Sequence, residues 1–195
     1  VLGVVAMTGA MNFLSLGYVA MIPVFARDEL GVGAVLMGLL TAGDAIGGLF
    51  GAIFLASMGM LIQRKGRLFV GTCFSMCSIL IIFALSQWYF VSLALLMVMG
   101  VGRGFYGVLQ TSIPLTFSTP EMHGRVLGAL YLGIGIFPLG FLLMGYIANM
   151  IGAPAALAIG SSICIGVLSL LSLRIPQLWN AYQPDLETNT MNSQS

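Results

Sequence analysis

The chain is built of long apolar runs with almost no charge in them. The stretch from about Leu68 to Ser86, for one, holds no charged residue, Asn or Gln. About 20 consecutive apolar residues cross a bilayer as one helix. Only helices and closed barrels satisfy their backbone in lipid. Barrel strands alternate apolar and polar residues, and these runs do not. The expected fold is therefore an all-α membrane protein. Charge agrees: Lys plus Arg is 7 and Asp plus Glu is 6, which is 7% of the 195 residues, against about 25% in a soluble domain. So few charges cannot cover a soluble surface of this size. The net charge of +1 offers no field for phosphates. A cytosolic enzyme, a nucleic-acid binder and a disordered chain are excluded.

Breaks in the apolar runs place six spans within residues 1–173. Span one runs from about Val1 to Phe25 and ends at Arg27-Asp28-Glu29. Span two runs from about Ala34 to Ile62 and span three from about Leu68 to Ser86; Gln87-Trp88 is the whole connection to span four, which ends near Phe117. After a polar link, where Thr119 is expected to cap a helix opened by Pro120, span five reaches about Ala148. Gly152-Ala153-Pro154 turns the chain into span six, which ends near Leu173. Residues 174–195 form a polar tail with little to bury, expected to be disordered. Val1 opens directly into an apolar run without a basic leader or an initiator Met, so the chain is expected to be a piece of a longer one.

Basic residues set the sidedness. Arg64, Lys65, Arg67, Arg125 and Arg174 fall on one side of the six spans, and only Arg27 falls on the other. The positive-inside rule then puts both termini in the cytoplasm.

Polarity is uneven among the spans. Spans three and six carry no charge, Asn or Gln, and are expected to face lipid. Span one has Asn12, Ser15 and Tyr18, span two has Asp44, and span four has Arg103, Tyr106 and Gln110. Residues three and four apart share a helix face, so the last three share one, and spans one, two and four are expected to border a cavity or a protein interface. Asp44 is the only acid inside a span, and a charge at that depth costs about 2.5–3.5 kcal/mol on insertion scales. It is either a protonatable coupling site or a carboxylate held by a neighbouring helix. Arg103 keeps its charge and needs a partner or water; the two depths differ by roughly 7 Å, so an Asp44–Arg103 pair is expected. Gly43, Gly47 and Gly51, and Gly100 and Gly104, repeat every four residues and suit close helix packing. Pro138 marks a kink in span five, with Gly133 and Gly135 beside it. Cys73 and Cys77 read as packing residues, and His123 as a solvated loop residue. No hydrolase set, metal cluster or phosphate loop is visible, and no cofactor is expected.

The loop Gly59-Met60-Leu61-Ile62-Gln63-Arg64-Lys65-Gly66-Arg67 resembles the G-x-L-x-D-R-x-G-R signature of the major facilitator superfamily. Gly59, Leu61, Arg64, Gly66 and Arg67 match; Gln63 replaces the Asp, a departure that fits the looser second half of such transporters. The stretch from Pro120 to Gly128 resembles the P-E-x-x-G-R-V-x-G link of the enterobactin-exporter-like and macrolide-efflux branch, and Gly152 to Leu157 resembles the start of its last helix. The Ile22-Pro23-Val24-Phe25-Ala26-Arg27 stretch resembles the end of its seventh. The resemblance implies the C-terminal six-helix half of a transporter, made of two inverted three-helix repeats. It implies that the first and fourth spans line a cavity, that the third and sixth face lipid, and that the second and fifth meet a missing N-terminal six-helix half. The Gly43-Gly47-Gly51 face would then pack on that absent half. The expected function is proton-coupled efflux of small amphipathic compounds across a bacterial inner membrane by alternating access, with Asn12, Ser15, Arg103, Tyr106 and Gln110 as substrate-cavity candidates and Asp44 as the coupling candidate. The alternative is a truncated or accessory membrane module without transport activity. Neither reading is an enzyme.

Overall fold

The computed structural model describes residues 2–58, 64–116 and 118–174. Six stretches are long and apolar enough to cross a membrane: Gly3–Asp28, Ala34–Met58, Lys65–Ala84, Tyr89–Thr116, Pro120–Ile151 and Ala153–Arg174. These are the six expected spans with their ends moved by a few residues. Among the described residues there is no strand. The expected tail falls almost wholly outside the described residues, as do Gly59, Leu61 and Gln63 of the signature-like loop.

Four spans are continuous: α3 (Ala34–Met58), α4 (Lys65–Ala84), α5 (Tyr89–Thr116) and α8 (Ala153–Arg174). Span one is broken into α1 (Leu2–Leu14) and α2 (Tyr18–Asp28). At the break the Ser15 and Leu16 amides both donate to the Met11 carbonyl, and the Tyr18 and Ala20 amides then donate only three residues back. The ladder widens and then tightens, which is how a helix changes course without leaving its donors unpaired. Span five opens with a 3-10 turn (Pro120–Met122) and is broken into α6 (His123–Gly135) and α7 (Phe137–Ile151). The junction, Ile136, lies two residues before Pro138, whose ring has no N–H to give and crowds the preceding turn. Thr119 precedes the 3-10 turn in extended conformation, but its hydroxyl makes no cap bond. The Met122 amide closes the turn on the Thr119 carbonyl instead.

Among the described residues the closest packing is between α3 and α5. The buried stripe of α3 is Leu40, Gly43, Asp44, Gly47, Gly51 and Leu55, spaced three and four apart. A methyl group on Gly47 would collide with the Met97 carbonyl, and one on Gly51 with the Val101 carbonyl. From the other helix, a methyl on Gly100 would collide with the Asp44 carbonyl, and one on Gly104 with the Gly48 carbonyl. Small residues on both helices thus let the two backbones touch. This corrects the expectation for the Gly43-Gly47-Gly51 face: it is buried within the chain against α5. What α3 leaves uncovered is its other side, with Leu39, Ile46, Leu49, Phe50, Ile53 and Phe54.

Span three also departs from expectation. Half of its most apolar window is buried inside the protein, against a third for spans two and six. Phe69, Val70, Cys73, Met76, Cys77, Leu80 and Phe83 of α4 belong to the core. Lipid and a protein core are equally apolar, so an absence of charge does not choose between them. Sulfur fills the contact between spans one, three and six: the Cys77 and Cys164 thiols lie 3.8 and 3.7 Å from the Met11 sulfur. All three cysteines are free and buried.

One turn depends on a conformation open to glycine alone. Gly152 has φ 88° and ψ 155°, and it reverses the chain between α7 and α8 in a single residue.

Candidate functional site

Asp44, from the buried stripe of α3, accepts two charge-compatible bonds. The Tyr18 hydroxyl of α2 donates to Asp44 Oδ1 at 2.7 Å. The Arg103 guanidinium of α5 reaches Asp44 Oδ2 with Nη2 at 2.9 Å. The pair expected from the sequence is therefore formed, and it has a third member. The Asp44 side chain is 3% exposed and that of Arg103 is 37% exposed, so the acid is sealed and the arginine is the member that can be reached. Gly48 helps: a methyl there would sit 3.3 Å from Arg103 Nη2, and its absence leaves the guanidinium room to lie back over α3.

The other expected site residues divide in two. Gln110 is half-buried on the face of α5 that holds Arg103. Its Oε1 and the Arg103 Nε are buried without a hydrogen-bond partner among the described residues. Asn12, Ser15 and Tyr106 are buried within the chain. Asn12 Nδ2 donates to the Thr8 carbonyl at 2.8 Å and to the Tyr106 hydroxyl at 3.2 Å. The Tyr106 hydroxyl points to the same carbonyl at 3.4 Å, and its ring stacks on Phe69 at 5.7 Å. This cluster ties span one to span four. Ser15 stands at the helix break, 3.8 Å from the Cys77 sulfur.

Two polar partners escaped the sequence reading. Tyr18 was visible as a polar residue of span one, but nothing in its neighbours pointed to Asp44. Thr8 acts through its backbone carbonyl, which no side-chain pattern reveals. Of the signature-like loop, Arg64 and Arg67 are exposed and Gly66 is buried at the start of α4. Among the described residues no three His, Cys, Asp or Glu side chains come together as a metal site would need.

The six apolar spans agree with a wider comparison. The Major Facilitator Superfamily model matches residues 2–189. The chain belongs to the major facilitator superfamily. As a member it is a multi-pass membrane protein and a transmembrane transporter, and its six spans have the size of one half of the fold. No curated protein and no solved structure matches it significantly.

Proposed function

We propose that this major facilitator chain is the C-terminal half of a proton-driven exporter of small amphipathic compounds. It belongs on this reading to the enterobactin-exporter-like and macrolide-efflux branch, in a bacterial inner membrane with both termini cytoplasmic. An N-terminal six-helix half supplies the opposing wall, and the two rock about a midplane site. The observation that carries the reading is the buried Asp44–Arg103 pair, because an intramembrane acid and base are retained at a cost that apolar residues would avoid.

Each residue has a task in this mechanism. Both Asp44 oxygens are taken by donors, so an arriving proton turns one oxygen into a donor and loosens a bond. Arg103, whose side chain is partly exposed, faces the solute, and Gln110 stands half-buried on the same face of α5. Asn12, Ser15 and Tyr106 stand behind that surface and hold spans one and four in place. The solute is retained mainly by burial of its apolar part. The orientation has support from the basic residues: Arg64, Lys65, Arg67, Arg125 and Arg174 fall on one side and only Arg27 on the other.

The test is efflux from cells making the intact gene product. Ethidium, Hoechst 33342 and rhodamine 6G serve as amphipathic probes. Efflux faster than in control cells, stopped by a protonophore and lost in Arg103→Ala at equal membrane level, supports the reading. Efflux equal to control for all three probes contradicts it and favours a module without transport activity.

A further inference from the structure

Tyr18 is the first residue of α2, an 11-residue helix that also contains Pro23. It is separated from α1 by Ser15, Leu16 and Gly17, where the helical ladder is interrupted. Its partner Asp44 lies on a different kind of support. Helices α3 and α5 are 25 and 28 residues long without a break, and their backbones touch at Gly47, Gly51, Gly100 and Gly104. Asp44 and Arg103 therefore sit on one rigid unit, and Tyr18 sits on a short segment hinged beside it. Among the described residues, Tyr18–Asp44 is the one side-chain hydrogen bond from α2 to that unit.

We propose that Tyr18 is a positioning residue that reports the protonation of Asp44 to α2. This rests on the reading of Asp44 as the proton carrier. While Asp44 is an anion, the Tyr18 hydroxyl makes a charge-assisted bond and holds α2 against the α3–α5 unit. When a proton arrives, that bond becomes an ordinary neutral one and the hold of α2 on the α3–α5 unit weakens, while Met21, Ile22, Phe25 and Ala26 keep the helix in the core. The α3–α5 unit does not part, because its contacts are between backbones. The titratable and charged groups that face Asp44 are Tyr18 from α2 and Arg103 from α5; Arg103 keeps its charge throughout, so the change falls on Asp44. The difference between charged and neutral hydrogen bonds shifts the held population by about tenfold.

The experiment places spin labels at Arg27→Cys on α2 and Phe90→Cys on α5, both exposed positions, in the intact gene product in liposomes. The three cysteines of this chain are buried and stay unlabelled, and any cysteine elsewhere in the intact gene product is first replaced by serine. Distance distributions are recorded at neutral and acid pH. The expected wild-type result is a new distance population on acidification. Asp44→Asn shows that population at both pH values, and so does Tyr18→Phe, which loses only one oxygen and keeps the ring. A pH shift that Asp44→Asn abolishes but Tyr18→Phe retains overturns the role of Tyr18 alone. A wild-type distance that ignores pH overturns Asp44 as the carrier and this inference with it.

Discussion

Gly47 of α3 and Gly100 of α5 face each other so closely that a methyl on Gly47 would stand 3.2 Å from the Gly100 Cα. The contact does more than pack two helices. It fixes the spacing at which Asp44 and Arg103 meet, since both lie within one turn of it along their own helices.

Replacing either glycine forces the backbones apart. Gly100→Ala drives its new methyl into the Asp44 carbonyl, which cannot move away as a side-chain tip could. The expected loss is about 1–3 kcal/mol, the usual scale of overpacking. Thermal denaturation followed by size-exclusion in detergent measures it. Gly38→Ala and Gly107→Ala are the controls on the same two helices, because nothing lies within 4 Å of the added methyl. They are expected to be neutral or stabilising by up to about 1 kcal/mol.

Gly152→Ala tests the turn between α7 and α8. Its φ of 88° lies where side chains are excluded, and holding an alanine there costs about 1–3 kcal/mol. The expected outcome is a lower melting temperature than for Gly145→Ala, whose methyl meets nothing within 4 Å. Equal melting of the two variants would remove the turn from the account.

The cysteines test the core between spans one, three and six. Cys73, Cys77 and Cys164 are fully buried, so a maleimide reagent leaves the folded protein unmodified. Unfolding in dodecyl sulfate exposes all three. Intact mass before and after unfolding counts the adducts; labelling of the folded protein at any of them would contradict the packing of α4 against α1 and α8.

The sequence disclosed some of this and hid the rest, for physical reasons. The spans and the Asp44–Arg103 pair were legible because a charge in lipid must find its opposite, and the chain offers one of each within its spans. The break in span five was legible through Pro138. The break in span one was not: no proline stands at Ser15–Gly17, and Pro23 lies further along inside α2. The glycine repeats announced a close contact without naming the helix that makes it, so the α3 face was assigned to an absent half. Span three misled for a related reason, as its apolar residues suit core and lipid alike. The polarity of Asn12 and Tyr106 was plain in the sequence, but their bonds to each other and to the Thr8 carbonyl were not. Tyr18 was hidden because its meaning lies in a partner 26 positions away.

The central claim is that Asp44 and Arg103 act as one unit inside the membrane. A double-mutant cycle in thermal stability tests it most directly, using Asp44→Asn, Arg103→Gln and the double variant in the same detergent. Each single change leaves a charge without its partner, with an expected loss of up to about 3–5 kcal/mol. The guanidinium's partial access to the surface makes Asp44→Asn the milder of the two. The double variant removes both charges and keeps hydrogen-bonding groups of similar size, so it is predicted to be more stable than the worse single variant. Additive losses, with the double variant worse than either single one, would show that the two residues do not act together and would contradict the account.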